Sequence, residues 1–145
     1  MQAIIFIGIQ ASGKSSFYKE RFFDTHVRIN LDMLKTRNRE DILLQACLRA
    51  KQPFVVDNTN PTVEVRAKYI EAARDARFQI IGYFFDSSLQ EAKLRNANRT
   101  GRAQVPSHAI NITHGKLQRP TLEEGFHALY WVRLAPSGEF LVDEW

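Results

Sequence analysis

Apolar residues recur along this chain with two periods, and they switch between them in a regular way. Short, almost wholly apolar runs at 3–7, 27–30, 54–57, 78–85 and 129–134 have the length and β-branched or aromatic content of buried strands. Between them lie longer stretches, near 14–23, 39–51, 61–77, 88–98 and 107–117, whose apolar positions follow a helical period. In the second of these, Ile42, Leu43, Ala46, Cys47 and Ala50 are spaced to form one buried face. Asn60-Pro61 reads as a helix cap followed by a first-position proline, and Ser88 with Glu91 and Thr121 with Glu124 fit the capping box. Pro136-Ser137-Gly138-Glu139 reads as a turn, and 140–145 as a short final strand. Strand and helix in strict alternation require parallel crossovers, so the expected class is α/β. The expected architecture is three layers around a central, mostly parallel five-stranded sheet, with a short C-terminal strand or hairpin.

Length and composition narrow this to one domain spanning 1–145. The 145 residues can bury a substantial core, and 44% hydrophobic with 25% charged residues is ordinary for a globular protein. No linker, low-complexity tract or internal repeat breaks the pattern. The lone cysteine, Cys47, cannot close an internal disulfide and sits in an apolar helical stretch, which suits a core position and a reducing cytoplasm. No stretch approaches the ~20 apolar residues needed to cross a bilayer, so no membrane partner is expected. The net charge of +4 is unevenly spread. From Ala92 to Leu122 the chain carries Lys93, Arg95, Arg99, Arg102, Lys116 and Arg119 with no acidic residue. A one-sign window of this kind suits a polyanion.

The most specific string lies directly behind the first strand. Gly8-Ile9-Gln10-Ala11-Ser12-Gly13-Lys14-Ser15 is a full G-x-x-x-x-G-K-S phosphate-binding loop, delivered by one strand and followed by a helix. Glycines at 8 and 13 let the backbone approach phosphate oxygens. Backbone groups from Ala11 through Ser16 would face the phosphates, Lys14 would reach the β- and γ-phosphates, and the Ser15 hydroxyl would bind Mg2+. The expectation is Mg-nucleoside triphosphate binding. In open α/β sheets ligands bind beyond the carboxyl ends of the strands, and two further strand tips are polar: Asn30-Leu31-Asp32 and Asp57-Asn58-Thr59-Asn60.

The combination of GIQASGKS, Asn30-x-Asp32, VVDNTNP with a following arginine-rich helix (Arg66, Arg74, Arg77), LRNANRTGRAQVP and RPTLEEGFHALYWVRL resembles the polynucleotide 5′-hydroxyl kinases of the P-loop kinase superfamily. The similarity runs from about Ala3 to Leu134. It implies an ATP-dependent transfer of the γ-phosphoryl to a 5′-hydroxyl end of RNA or DNA, with Asp32 as general base. It also implies a helical lid at about 95–106, with Arg95 and Arg99 on one helical face clamping the triphosphate. Arg99 is the favoured transition-state arginine because it adjoins Thr100-Gly101, and Arg102 is a weaker lid candidate. Asp57 would hold Mg2+ through water or organise a substrate pocket with Thr59 and Asn60. Asn58 stands where ATP-hydrolysing motors place a glutamate, which disfavours a hydrolytic switch. The chain carries no N-K-x-D string, so ATP is a better donor than GTP. It also carries no D-x-D phosphatase signature, so the likeness covers the kinase activity alone.

One position departs from the family pattern. Leu31 stands where an arginine is common between the asparagine and the aspartate, while Lys35 stands where the family often has another basic substrate contact. Three readings therefore stay open: a polynucleotide kinase, a small-molecule kinase acting on a sugar, nucleoside or other alcohol, and a non-catalytic ATP-binding module. Phe126, Tyr130, Trp131 and Trp145 are expected to pack in the core rather than stack on bases. The sequence assigns nothing to His114 or His127, and no oligomeric state.

Overall fold

The computed structural model describes residues 1–145 except the side chain of Arg102. Strands β1 (Gln2–Ile7), β2 (Val27–Ile29), β3 (Phe54–Val56), β4 (Gln79–Phe85), β5 (Ala128–Leu134) and β6 (Phe140–Glu144) alternate with helices α1 (Lys14–Arg21), α2 (Leu31–Leu34), α3 (Arg37–Ala50), α4 (Val63–Asp75), α5 (Leu89–Ala97) and α6 (Ser107–Lys116). They form one sheet in the order β2-β3-β1-β4-β5-β6. The first five strands are mutually parallel and β6 pairs antiparallel with β5. The expected parallel sheet with a C-terminal strand is thus present, and the predicted boundaries fall within a few residues of the observed ones.

The period-two alternation of β1 splits the core into two layers. Ala3, Ile5 and Ile7 pack with Leu44, Cys47, Tyr69 and Ile70 of α3 and α4 on one face. Ile4 and Phe6 pack with Phe17 and Phe22 beside α1, and with Phe140, on the other. Cys47 is a buried core residue, as expected. The buried stripe of α3 is not the predicted one: Ile42 is exposed, and Glu40, Leu44, Cys47 and Leu48 face inward. The shift follows from Glu40, whose fully buried carboxylate accepts hydrogen bonds from Tyr69 Oη at 2.8 Å, Arg37 at 2.9 Å and Asn58 Nδ2 at 3.0 Å. A charge so satisfied can occupy a position that periodicity assigns to an apolar side chain.

Other local expectations are corrected in the same way. The helix after β3 is capped by Thr62, whose side chain accepts from Val65 N, and not by Asn60. Ser88 caps α5 by accepting from Glu91 N, and Thr121 with Glu124 forms a capping box on a single 3-10 turn. Phe126 is buried, Tyr130 and Trp131 half-buried, and Trp145 lies exposed with its ring 5.7 Å from Phe84.

Of the arginines after β3, Arg66 is fully buried and grips Glu124 with two nitrogens at 2.8 and 3.1 Å. Its third contact, to the Asn60 carbonyl at 2.9 Å, ties α4 to the tip of β3. Arg74 and Arg77 lie at the other end of α4, beside the start of β4. Arg66→Ala is expected to cost about 3–5 kcal/mol in urea unfolding, because it strands the Glu124 carboxylate in the interior. Replacing both partners with apolar residues should recover most of that loss. Equal stability of the single variant and the wild type would exclude the bond as a structural tie.

Candidate active site

The loop from Gly8 to Ser15 leaves the carboxyl end of β1, between the tips of β3 and β4. Gly8 N donates to Thr59 O at 3.0 Å, extending the β1–β3 ladder into the loop. A Cβ on Gly8 would lie 2.9 Å from Phe85 Cβ and 3.0 Å from Ser12 Oγ, so the close approach excludes any side chain. Gly13 has φ +102° and a Cβ there would lie 3.0 Å from the Phe140 ring, so β6 braces the loop from outside. Gly13 occupies the N-cap position of α1 without a side-chain cap, leaving the first-turn N–H groups of Lys14, Ser15 and Ser16 free of an intrahelical partner.

Lys14 is buried, and its Nζ donates to Gly8 O at 2.9 Å, Ile9 O at 2.6 Å and Ser12 Oγ at 3.3 Å. Burial pushes its pKa down from 10.5 to about 8; Asp57 and Asp32 pull it up, and Arg99 pushes it further down. Below about pH 8 the ammonium form dominates in the folded protein, whereas the unfolded chain keeps its proton up to about 10.5. This group therefore adds stability as pH rises between those two values. It should also make triphosphate affinity fall above about pH 8, where the cation is lost. Titration with a fluorescent ATP analogue between about pH 7 and 9.5 tests this. A flat profile would show that Lys14 stays charged throughout.

Ser15 and Asp57 meet directly. Ser15 Oγ donates to Asp57 Oδ2 at 3.0 Å, and the Asp57 carboxylate is buried at the end of β3. Arg28, in the middle of β2, completes the cluster: its Nε donates to Asp57 Oδ2 at 2.8 Å and a terminal nitrogen to Ser15 Oγ at 2.9 Å. The sequence reading missed Arg28, although a lone charge inside an otherwise apolar strand was its signal. A hydroxyl and a carboxylate that already hold a cation are hard oxygen donors of the kind Mg2+ takes, one or two at a time. Among the described residues no three His, Cys, Asp or Glu side chains gather into a metal-binding group.

Asp32 sits on α2, a single turn that four residues are too few to betray by periodicity. Asn30 holds this turn from both sides, accepting from Met33 N at 2.9 Å and donating to Asp57 O at 2.6 Å. Leu31 N donates to Asn58 Oδ1 at 2.9 Å, and Asn58 in turn is anchored on Glu40. Burial alone would raise the Glu40 pKa, but hydrogen bonds from Tyr69, Arg37 and Asn58 outweigh it and hold the carboxyl below its usual value. The Asp32 carboxylate is left exposed on a fixed turn, and Lys35, also exposed, closes α2 with φ 78°. Thr59 meets the loop through its backbone carbonyl. Asn60 is not brought to the site face: it is buried, with Nδ2 donating to Phe6 O at 2.7 Å beneath the loop.

The two candidate clamp arginines part company. Helix α5 ends at Ala97, so Arg99 lies in the turn beyond it, and the two side chains do not share a helical face. Arg95 donates to Ala11 O at 2.8 Å and Ser87 Oγ at 2.9 Å, against the back of the loop. The Arg99 side chain, among the described residues, makes one long hydrogen bond, 3.3 Å to Ala103 O, and its charge acts on Lys14. Asn96 pins the segment that follows by exchanging hydrogen bonds with Val105 at 2.7 and 2.9 Å. The Arg102 side chain lies outside the described residues. Arg119, from the basic window, stacks over the Phe84 ring at 5.6 Å.

Comparison with known proteins gives three findings. The model of a family described as an AAA domain matches residues 35–120, beginning just past Asp32. The bifunctional polynucleotide phosphatase/kinase of Schizosaccharomyces pombe is 31% identical over 129 residues, covering 86% of this chain and 32% of that protein, so the chain spans about a third of that relative's length. Two solved structures share the fold. A gluconokinase from Sinorhizobium meliloti 1021 has a TM-score of 0.66 at 22% identity, over 92% of this chain and 83% of that one. Chaetomium thermophilum Kti12, solved with ADP-AlF3, has 0.68 at 15% identity, over 94% of this chain and 92% of that one.

Proposed function

The chain belongs to the AAA-domain family, and from that premise we propose that it transfers the γ-phosphoryl of ATP to a 5′-hydroxyl end of RNA or DNA. One observation carries the reading: the phosphate loop meets Asp57 through Ser15 Oγ at 3.0 Å, and Asn30 ties the turn bearing Asp32 to the same residue, donating to Asp57 O at 2.6 Å. A nucleotide grip without transfer has no use for an exposed carboxylate fixed beside it. In this reading 1–145 is a kinase unit with residues 95–106 as its lid, acting in the cytoplasm.

Lys14 exchanges its loop carbonyls for phosphate oxygens, and the free N–H groups at the start of α1 bind the same chain of phosphates. Ser15 and Asp57 are the residues that would hold Mg2+, which when bound neutralises charge on the phosphates. Asp32 accepts the proton of the attacking hydroxyl while its oxygen bonds to phosphorus and the bond to the ADP oxygen breaks. Arg99 answers the charge that develops on the transferred group.

The acceptor rests on two supports: the name of the Schizosaccharomyces pombe relative, and the acid-free basic window suited to a phosphate backbone. A small alcohol acceptor is the second reading, favoured by Leu31 and the exposed Met33, which put apolar side chains on both sides of Asp32. The test is incubation with γ-labelled ATP and Mg2+ against 5′-hydroxyl and 5′-phosphate oligonucleotides, beside a panel of sugars and nucleosides. Label on the 5′-hydroxyl strands alone is expected. Label confined to the small molecules would replace the first reading by the second.

A further inference from the structure

Arg28, Ser15 and Asp57 close a triangle of hydrogen bonds, with Nε to carboxylate at 2.8 Å, the terminal nitrogen to hydroxyl at 2.9 Å, and hydroxyl to carboxylate at 3.0 Å. The two oxygens that would face a metal are therefore bridged by a guanidinium. A guanidinium has donors only, so it cannot become a metal ligand. It can only share these oxygens or yield them. We infer that Arg28 is an internal competitor for the cation at Ser15 and Asp57, and that it sets how strongly metal binding depends on bound nucleotide. The inference rests on the proposed Mg2+ role of that pair.

The surroundings fit such an exchange. The Asp57 side chain is 1% exposed and a carboxylate so buried needs a positive partner. Arg28 supplies one from β2, an edge strand of the sheet, with its own side chain 26% exposed. Its guanidinium carbon lies 5.9 Å from the centre of the Tyr18 ring, an aromatic face on which the cation can rest. Withdrawal toward solvent breaks the two hydrogen bonds to Ser15 and Asp57. A metal entering alone must displace the guanidinium with only two protein oxygens to gain. A metal arriving with triphosphate brings phosphate ligands as well, so the nucleotide-bound form is favoured.

Mn2+ binding followed by electron paramagnetic resonance tests this without turnover, with and without a non-hydrolysable ATP analogue. Arg28→Gln removes the competing charge and should bind Mn2+ alone about tenfold more tightly than the wild type. Arg28→Lys, which keeps the charge and the ion pair, should stay near wild type. The apo form of Arg28→Gln should melt earlier, and bound Mn2+ should restore it. Equal or weaker Mn2+ affinity in Arg28→Gln, in a protein whose wild type does bind Mn2+ with the analogue, would overturn the competitor role and leave the metal site standing. If Asp57→Asn does not lower Mn2+ binding by the wild-type fold, the metal site itself is lost, and this inference with it.

Discussion

Replacing Arg99 by alanine should lower kcat by about 10³–10⁵-fold, the size of effect an arginine has when it neutralises a transferring phosphoryl group. The fold should not change, because Arg99 lies in a turn and its side chain, among the described residues, makes one 3.3 Å hydrogen bond, to Ala103 O, while its backbone N–H bond to Asn96 O survives the substitution. Beside burial, the charge of Arg99 helps push the Lys14 pKa down, so its field reaches the phosphate loop. A charge held there but engaged in no strong bond is available when negative charge builds on the γ-phosphoryl. Single-turnover rates with γ-labelled ATP, read beside the nucleotide Kd and the melting temperature, separate the roles. A fall in kcat of less than about tenfold would remove Arg99 from the transition state. Arg95→Ala provides the contrast: its bonds to Ala11 O and Ser87 hold the loop, so its loss should weaken nucleotide binding more than turnover.

Asp32→Ala should lower kcat by about 10²–10⁴-fold, the usual contribution of a positioned base. The carboxylate is exposed, while the turn that carries it is held through Asn30, Leu31 N and Asn58. Removing the carboxylate therefore leaves the turn in place, and nucleotide affinity should stay close to wild type. Unchanged turnover would exclude Asp32 as the base. Weakened binding with unchanged kcat would instead make it a ligand-positioning group.

The helices and strands were legible because each is a run of consecutive residues with its own period. The misreadings share a cause. Helix α2 is too short to show a period. Glu40 sits in an apolar stripe because Tyr69, Arg37 and Asn58 from distant segments satisfy it. Arg66, one of the arginines of the helix after β3, is engaged by Glu124, 58 positions away. Asn60 lies in a polar run of strand-tip residues, yet it turns inward to the Phe6 carbonyl.

Local chemistry was enough to specify the phosphate loop, the α/β alternation and the class of ligand, since glycine spacing, Lys14 and Ser15 act within one short stretch. The assembly of the candidate site was not contained in any stretch. Strand order seats β1 between β3 and β4, and that is what brings Asp57 to Ser15 across 42 positions of chain. Parallel pairing of β2 with β3 then carries Arg28 to the same two oxygens. Hydrophobic period records which face of an element is buried; it carries no record of which element lies beside it. Pairing between distant charges and hydrogen-bonding groups is settled only when the sheet has formed.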